Sequence, residues 1–202
     1  MSSIKVVLVG ESAVGKTSMI TRFVENIFKP GTMSSLSANF VSKTLEISKN
    51  QSIKLDIWDT AGQEKYRALT KIFYQDAKVI ILVYDITSKE SFKELKEYWY
   101  VKTKENGKQD VVFAVVGNKN DLYEKEEIER TEGEKFAKEI GAIFHETSAL
   151  TSNGINELFK DIAMKFVSNN SIYSKINEND DNETDKKITL ENVNKPKRRN
   201  CC

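Results

Sequence analysis

From Ile4 to about Val167 the chain alternates short apolar runs with stretches in which apolar residues recur every three or four positions. The first pattern belongs to buried strands and the second to amphipathic helices, so the alternation predicts an α/β fold with a mostly parallel sheet. IKVVLVG (Ile4 to Gly10) is a buried strand. FVSKTLEI and SIKLDIW alternate with period two on either side of Lys49 to Gln51, which predicts an antiparallel hairpin with one solvated face. VIILVYD and VVFAVVGNK are continuous β-branched runs suited to burial on both faces, and AIFHETSA completes six strands. Helices are predicted after Gly15, after Ser88, at Thr131 where Thr131 and Glu134 form a capping box, and at Gly154. The last carries Ile155, Leu158, Phe159, Ile162 and Phe166 on one stripe. A fifth helical segment is predicted about Lys65 to Asp76. His145, the single histidine, sits in the last apolar run and reads as a packing residue.

Beyond Val167 the composition turns to Asn, Asp, Glu, Lys and Ser with scattered aliphatics, which cannot bury enough surface to offset the entropy of ordering. The organisation read from the sequence is one domain over residues 1–168 and a flexible tether over 169–202. A length of 202 residues with 39% apolar content suits one well-packed domain better than two. The formal charge of +1 with interspersed signs argues against a nucleic-acid binder that works by neutralising phosphates. The first apolar run is too short for a secretory signal and no run reaches the length of a membrane span, so the chain is expected to be made and kept in the cytosol. Its two cysteines are the last two residues, Cys201 and Cys202, which excludes an intrachain disulfide framework or a CxxC metal site.

Three motifs carry chemistry, each at the end of a predicted strand. Gly10-Glu-Ser-Ala-Val-Gly15-Lys16-Thr17 follows the first strand and opens a helix, the setting that the phosphate-binding pattern GxxxxGK[ST] requires. Its two glycines let backbone N–H groups turn inward, and the helix N-terminus adds positive potential. Lys16 can reach the β- and γ-phosphate oxygens and Thr17 offers a hydroxyl to Mg²⁺. Gly10, Ser12, Ala13, Val14, Gly15, Lys16, Thr17 and Ser18 are the candidate contacts. Asn118-Lys119-Asn120-Asp121 ends a buried strand, and an Asp121 carboxylate can accept from both N1 and N2 of guanine, where adenine has no matching donors. Lys119 can lay its aliphatic stem along the base, and Ser148-Ala149 can present a backbone N–H to O6. Asp59-Thr-Ala-Gly62-Gln63-Glu64 lies between them. Asp59 can hold Mg²⁺ through water, Gly62 can donate to the γ-phosphate, and Gln63 can orient a water, since glutamine is a poor base.

GESAVGKT, WDTAGQE, NKND and ETSA, in this order, resemble the Ras superfamily of small GTPases over residues 4–168. KLDIW, KYRAL, FYQDA, LVYDIT and the CysCys terminus are similar to the Rab branch, and GESAVGK with SSLSANF (Ser34 to Phe40) to its early-endosomal members. The resemblance implies a P-loop NTPase G domain that binds GTP or GDP with Mg²⁺ and hydrolyses GTP. It places Ser35 at the switch I threonine, which binds Mg²⁺ and meets the γ-phosphate; serine keeps the hydroxyl but frees a rotamer. Ser35, Gln63 and Lys16 are thus the implied catalytic set, and Thr17, Ser35 and Asp59 the metal ligands. Ser37 replaces a common glycine, and Leu150 stands where most Rabs have lysine beside the base. Phe28 matches the aromatic packed edge-on against guanine, although a plain core role stays open. Phe40, Trp58 and Phe73 match the aromatic trio read by effectors, and could equally be core. No cis arginine finger is identifiable, so intrinsic turnover on the order of 10⁻⁴ to 10⁻² s⁻¹, as in Ras and Gα, is expected, with an activating protein supplying the acceleration.

The ending is not CaaX. Lys195-Pro-Lys-Arg-Arg199 beside Cys201 and Cys202 has the two-signal form of a stable lipid anchor. The Rab resemblance implies geranylgeranyl groups on both cysteines, added by a geranylgeranyl transferase with an escort protein, and extraction by a GDP-dissociation inhibitor. It further implies an exchange factor, effectors, a monomer, no nucleic acid, and a role in vesicle and endosomal traffic at the cytosolic face of membranes. Two rivals are a module that holds nucleotide without cycling, kept alive by Ser35, and a nucleotide kinase, which would need a lid rich in arginine that the chain lacks.

Overall fold

A computed structural model of the protein describes residues 3–30, 39–49, 51–60, 73–108 and 110–170. Strands β1 (Ser3–Val9), β2 (Asn39–Ser48), β3 (Gln51–Asp59), β4 (Val79–Asp85), β5 (Val112–Asn118) and β6 (Ile143–Thr147) form one sheet. Its order is β2-β3-β1-β4-β5-β6. Only β2 and β3 run antiparallel, as their period-two patterns require, with a register shift between Glu46 and Ser48. Every other neighbouring pair is parallel.

The helices are α1 (Lys16–Glu25), α2 (Lys89–Glu94), α3 (Val101–Asn106), α4 (Arg130–Ile140) and α5 (Ile155–Asn169). They cover both faces of the sheet, which explains why the central strands read as unbroken apolar runs. Ile4, Val6 and Leu8 of β1 and Val79, Ile81 and Val83 of β4 point to one face, where Met19 and Phe23 of α1 meet Leu158, Phe159 and Ile162 of α5. Phe23 and Phe159 stack there with centroids 3.8 Å apart. Val7, Val9, Ile80, Leu82 and Tyr84 point the other way, onto Phe92, Leu95, Trp99, Phe136 and Ala137.

Three details depart from the sequence reading. The helix expected at Thr131 begins at Arg130 with Glu129 at its N-cap, and no side chain caps it. The Thr131 hydroxyl instead donates to the Glu129 carboxylate at 3.2 Å, so a competing acidic neighbour captures the capping-box threonine. Ser88 does cap its helix, accepting from Ser91 N–H at 3.2 Å, but α2 runs through a π-helical turn, Leu95–Tyr100, into α3. The expected helix about Lys65 to Asp76 falls mostly outside the described residues, as does the tether; Phe73 and Tyr74 are helical. His145 is more than a packing residue, because its Nε2 lies 2.9 Å from Asp161 Oδ2 on α5. Among the described residues no helix is long and apolar enough to cross a membrane.

Tyr84 yields a prediction. The residue is fully buried, and its hydroxyl sits so close to Gly117 and Gly133 that a Cβ at either would lie 2.8 or 2.4 Å from Oη. Among the described residues that hydroxyl has no hydrogen-bond partner, and burial raises the phenol's pKa. An unsatisfied buried donor costs about 1–3 kcal/mol, so Tyr84→Phe should be neutral or raise stability by about 1 kcal/mol. Thermal melts should show Tm unchanged or about 2–4 °C higher; a clear loss would reveal a bridging partner.

Candidate functional site

The motif residues gather outside the C-terminal ends of β1, β3, β4, β5 and β6, around the point where the chain's crossovers diverge to either side of β1. A crevice is expected there in a doubly wound sheet. The loop after β1 is shaped by backbone geometry. Gly10 has φ +148° and a Cβ on it would meet the Val83 carbonyl oxygen at 2.2 Å. Gly15, the N-cap of α1, has φ +96°, and a Cβ there would meet Asn118 Nδ2 at 2.3 Å. Both positions are therefore closed to side chains. Ala13 is also left-handed, at φ 65°. Residues 10–18 thus curl over the N-terminus of α1, whose first turn carries no acidic residue to compete for an anion.

Lys16 is buried, with its ammonium donating to the Gly10 and Glu11 carbonyls at 2.8 and 2.7 Å. Burial lowers its pKa to about 8 against the opposing pull of Asp59 and Glu11. Such a cation is costly to keep dry, so an incoming polyanion would relieve it. Beside it the Thr17 hydroxyl donates to Asp59 Oδ2 at 2.6 Å. Asp59, buried at the end of β3, is fixed by its neighbour Thr60, whose hydroxyl donates to the Leu8 carbonyl at 2.7 Å. A hydroxyl and a carboxylate are hard oxygen donors of the kind Mg²⁺ takes, since Mg²⁺ binds one or two protein oxygens and completes its shell with waters and phosphate. Among the described residues no cluster of three or more His, Cys, Asp or Glu could hold a metal. The Thr17 and Asp59 donors fit Mg²⁺.

Asn118 ties the motifs together. Its Nδ2 donates to the Val14 carbonyl at 2.8 Å, and its Oδ1 accepts from the Thr147 hydroxyl at 3.0 Å. The side chain therefore joins the phosphate loop, β5 and β6 as a brace. Lys119, held left-handed at φ 68°, places its ammonium 2.6 Å from Asp85 Oδ2. That ion pair steers the stem along one wall of the crevice. Asp85 is in turn held by Thr87, which donates both its N–H and its hydroxyl to Oδ1. Asp121 accepts from the buried Ser148 hydroxyl at 2.6 Å, and Ser148 Oγ accepts from Thr151 N–H at 3.0 Å. The predicted base-reading residues Asp121, Ser148, Ala149 and Leu150 are thus adjacent, with Ala149 buried and Leu150 half exposed. Phe28 packs partly buried against the α1–α5 core, an observation compatible with both roles left open for it.

Ser35, Gly62 and Gln63 lie outside the described residues, as do Ser37, Cys201 and Cys202. The aromatic trio does converge. Phe40, half exposed on β2, lies 5.0 Å from Trp58 on β3, and Trp58 lies 5.8 Å from Phe73. Lys5 Nζ sits 5.2 Å from the Trp58 ring centroid. The sequence reading missed Asp85, Trp99 and Arg22. Asp85 left a signal, an acidic residue closing an apolar strand. Trp99, which lies in the π turn and donates its indole N–H to Glu11 of the phosphate loop at 2.9 Å, left none.

A strand-loop-helix phosphate cradle with a lysine and a hydroxyl–carboxylate pair, on a doubly wound sheet, defines a P-loop nucleoside triphosphatase. A model of the Ras family matches residues 5–168. The chain is 43% identical over 162 residues to the GTP-binding protein ypt5 of Schizosaccharomyces pombe, which covers 80% of this chain and 76% of that protein. It is 40% identical over 164 residues to human Rab-30, covering 81% and 80%. It is 42% identical over 161 residues to Rab-5A of Dictyostelium discoideum, covering 80% and 79%. The chain belongs to the Ras family and is a small GTPase of the Rab type.

Proposed function

We propose that this GTPase is a Mg²⁺-dependent membrane switch that recruits effectors in its GTP state and regulates vesicle traffic, in the endosomal branch. The observation that carries the reading is the Thr17–Asp59 contact of 2.6 Å next to the buried Lys16 ammonium. It sets a hydroxyl, a carboxylate and a cation around one point at a helix N-terminus, which is what a triphosphate and its metal require. Thr17, Asp59 and Ser35 would hold Mg²⁺, which when bound would neutralise phosphate charge.

The chain's own groups do the rest. Lys16 exchanges its two loop carbonyls for β- and γ-phosphate oxygens, and the amides of Gly10 to Ser18 wrap the β-phosphate. Asp121 accepts from guanine N1 and N2, and the Ala149 N–H donates to O6, while Asn118 and Thr147 keep the phosphate and base halves in one frame. Thr17 and Asp59, with Ser35, would face the metal. Gly62 N–H and Gln63 face the γ-phosphate and the attacking water, and Gln63 orients that water instead of removing its proton. Loss of the γ-phosphate releases residues 29–40 and 59–76, and with them the Phe40–Trp58–Phe73 surface that effectors read. Cys201 and Cys202 carry geranylgeranyl groups, and Lys195 to Arg199 lean on anionic headgroups. The partners are an exchange factor, an activating protein, an escort protein with geranylgeranyl transferase, a GDP-dissociation inhibitor and effectors.

Single-turnover hydrolysis tests the enzyme half of the reading and fractionation the membrane half. Gln63→Leu should bind GTP as the wild type does, hydrolyse it at least about tenfold more slowly, and accumulate on membranes when the full chain is expressed in cells. The same variant with both cysteines changed to serine should stay in the soluble fraction. Unchanged hydrolysis removes Gln63 from the mechanism, and membrane retention without the cysteines removes the anchor.

A further inference from the structure

We propose that Arg22 is a positioning residue for guanine recognition: its guanidinium holds the Ser148–Thr151 loop, and so aims the Ala149 amide at O6 of the base. The inference rests on the reading of this loop as the guanine site. Arg22 lies in the last turn of α1, far from the base motifs in sequence. Its Nε donates to the Ala149 carbonyl at 2.8 Å, one Nη to the Leu150 carbonyl at 3.0 Å, and the other to the Asn26 carbonyl at 2.9 Å. Three carbonyls from two segments are thus held by one planar group.

The consequence follows from which peptide units are fixed. On the upstream side, Ser148 N–H donates to the Asn153 carbonyl at 3.0 Å, which fixes the loop before Ala149. Downstream, Arg22 fixes the next two carbonyls, those of Ala149 and Leu150. The Ala149 N–H lies between these clamps, so its direction is set by them. Asp121 meets the loop upstream of Ala149, through Ser148 Oγ, whereas Arg22 holds the carbonyls downstream of the Ala149 N–H. Arg22 therefore governs the O6 contact more than the N1 and N2 contacts. Its third bond, to left-handed Asn26 at the exit of α1, ties the same loop to the segment that leads through Phe28 toward residue 30. Lysine cannot replace this arrangement, because an ammonium is a point donor that cannot span three carbonyls in one plane.

The simpler reading of Arg22 is a cation that complements the C-terminal end of α1 and stabilises the fold. Nucleotide analogues separate the two. Wild-type, Arg22→Ala and Arg22→Lys full-length proteins, stripped of nucleotide and reloaded with Mg²⁺, are titrated with GDP, with 6-thio-GDP, whose sulfur is a poor acceptor, and with IDP, which lacks the 2-amino donor but keeps O6. Melting curves confirm that each variant is folded. Both variants should bind GDP about tenfold more weakly, the worth of one well-made hydrogen bond to a polar acceptor. Their penalty for 6-thio-GDP relative to GDP should nearly vanish, while the penalty for IDP stays at its wild-type value. Equal losses for all three nucleotides, or full rescue by lysine, would reduce Arg22 to a structural cation and overturn the inference. If the wild type itself shows no penalty for 6-thio-GDP relative to GDP, the assignment of the loop as the O6 site falls first, and the inference with it.

Discussion

Asp121→Asn should exchange the protein's preference for guanine for a preference for xanthine. Asp121 lies in the first turn of the 3₁₀ segment Asn120–Lys125 that follows β5, and one carboxylate oxygen accepts from Ser148 Oγ at 2.6 Å. A carboxylate is acceptor-only with about four lone-pair sites, so it can serve Ser148 and still receive both N1–H and the 2-amino group of guanine. An asparagine keeps one acceptor oxygen for Ser148 and N1–H, but turns an NH₂ toward the 2-amino group, donor against donor. Xanthine carries a carbonyl at C2 and accepts from that NH₂. Losing the bond to the 2-amino group and the charge behind the bond to N1–H should weaken GDP binding by about 10²- to 10⁴-fold, while XDP gains. Titration of stripped protein with GDP and XDP measures both. Retained guanine preference would mean that Asp121 does not read the base.

The α/β layout was legible because its strands are buried on both faces and so appear as unbroken runs, as in VIILVYD, all seven residues of which are buried. The hairpin was legible for the opposite reason, since β2 and β3 keep one wetter face and alternate. What the sequence hid are features decided by tertiary partners. The π turn at Leu95–Tyr100 has no composition of its own, and exists where Trp99 must turn its indole to Glu11. The start of α4 hinged on whether Thr131 would bond its backbone or the Glu129 carboxylate, a local competition that a capping pattern does not resolve.

The site divides in the same way. Gly10, Gly15, Lys16, Thr17, Asp59, Asn118 and Asp121 were legible, because phosphate and guanine dictate both residue type and spacing. The groups that hold them were not. Asp85 restrains Lys119 and Arg22 restrains the Ala149 loop across long sequence separations, and nothing in α1 marks Arg22 apart from other basic residues of a helix end. Asn118, which opens the NKND motif, also braces the site, its amide bonding Val14 and Thr147. Recognition chemistry leaves a pattern in sequence, whereas the bracing that keeps it in place is visible only in the fold.

Lys16→Met should weaken nucleotide binding at least about 10³-fold and at the same time stabilise the nucleotide-free protein. Burial lowers the ammonium from its ordinary 10.5 to about 8, a shift whose linkage value is about 3 kcal/mol. The sign follows from proton counts. Below pH 8 the lysine is charged in both folded and unfolded chains, and the full cost is present. Between 8 and 10.5 the unfolded chain holds the proton and the folded one does not, so stability rises with pH; above 10.5 both are neutral and the cost is gone. Methionine removes the charge at similar length, at the expense of the bonds to the Gly10 and Glu11 carbonyls, leaving a gain of about 1–2 kcal/mol at pH 7. Denaturant unfolding of stripped protein from pH 7 to 10 should show a rising limb in the wild type that flattens in the variant. GTP affinity should fall at least about 10³-fold, since two charge-assisted contacts to phosphate vanish in a dry site. The same linkage predicts that the wild type takes up a proton on binding GDP near pH 9, because phosphate returns the lysine to its charged form. Calorimetry in two buffers of different ionisation enthalpy measures that uptake, and its persistence in Lys16→Met would place the proton elsewhere.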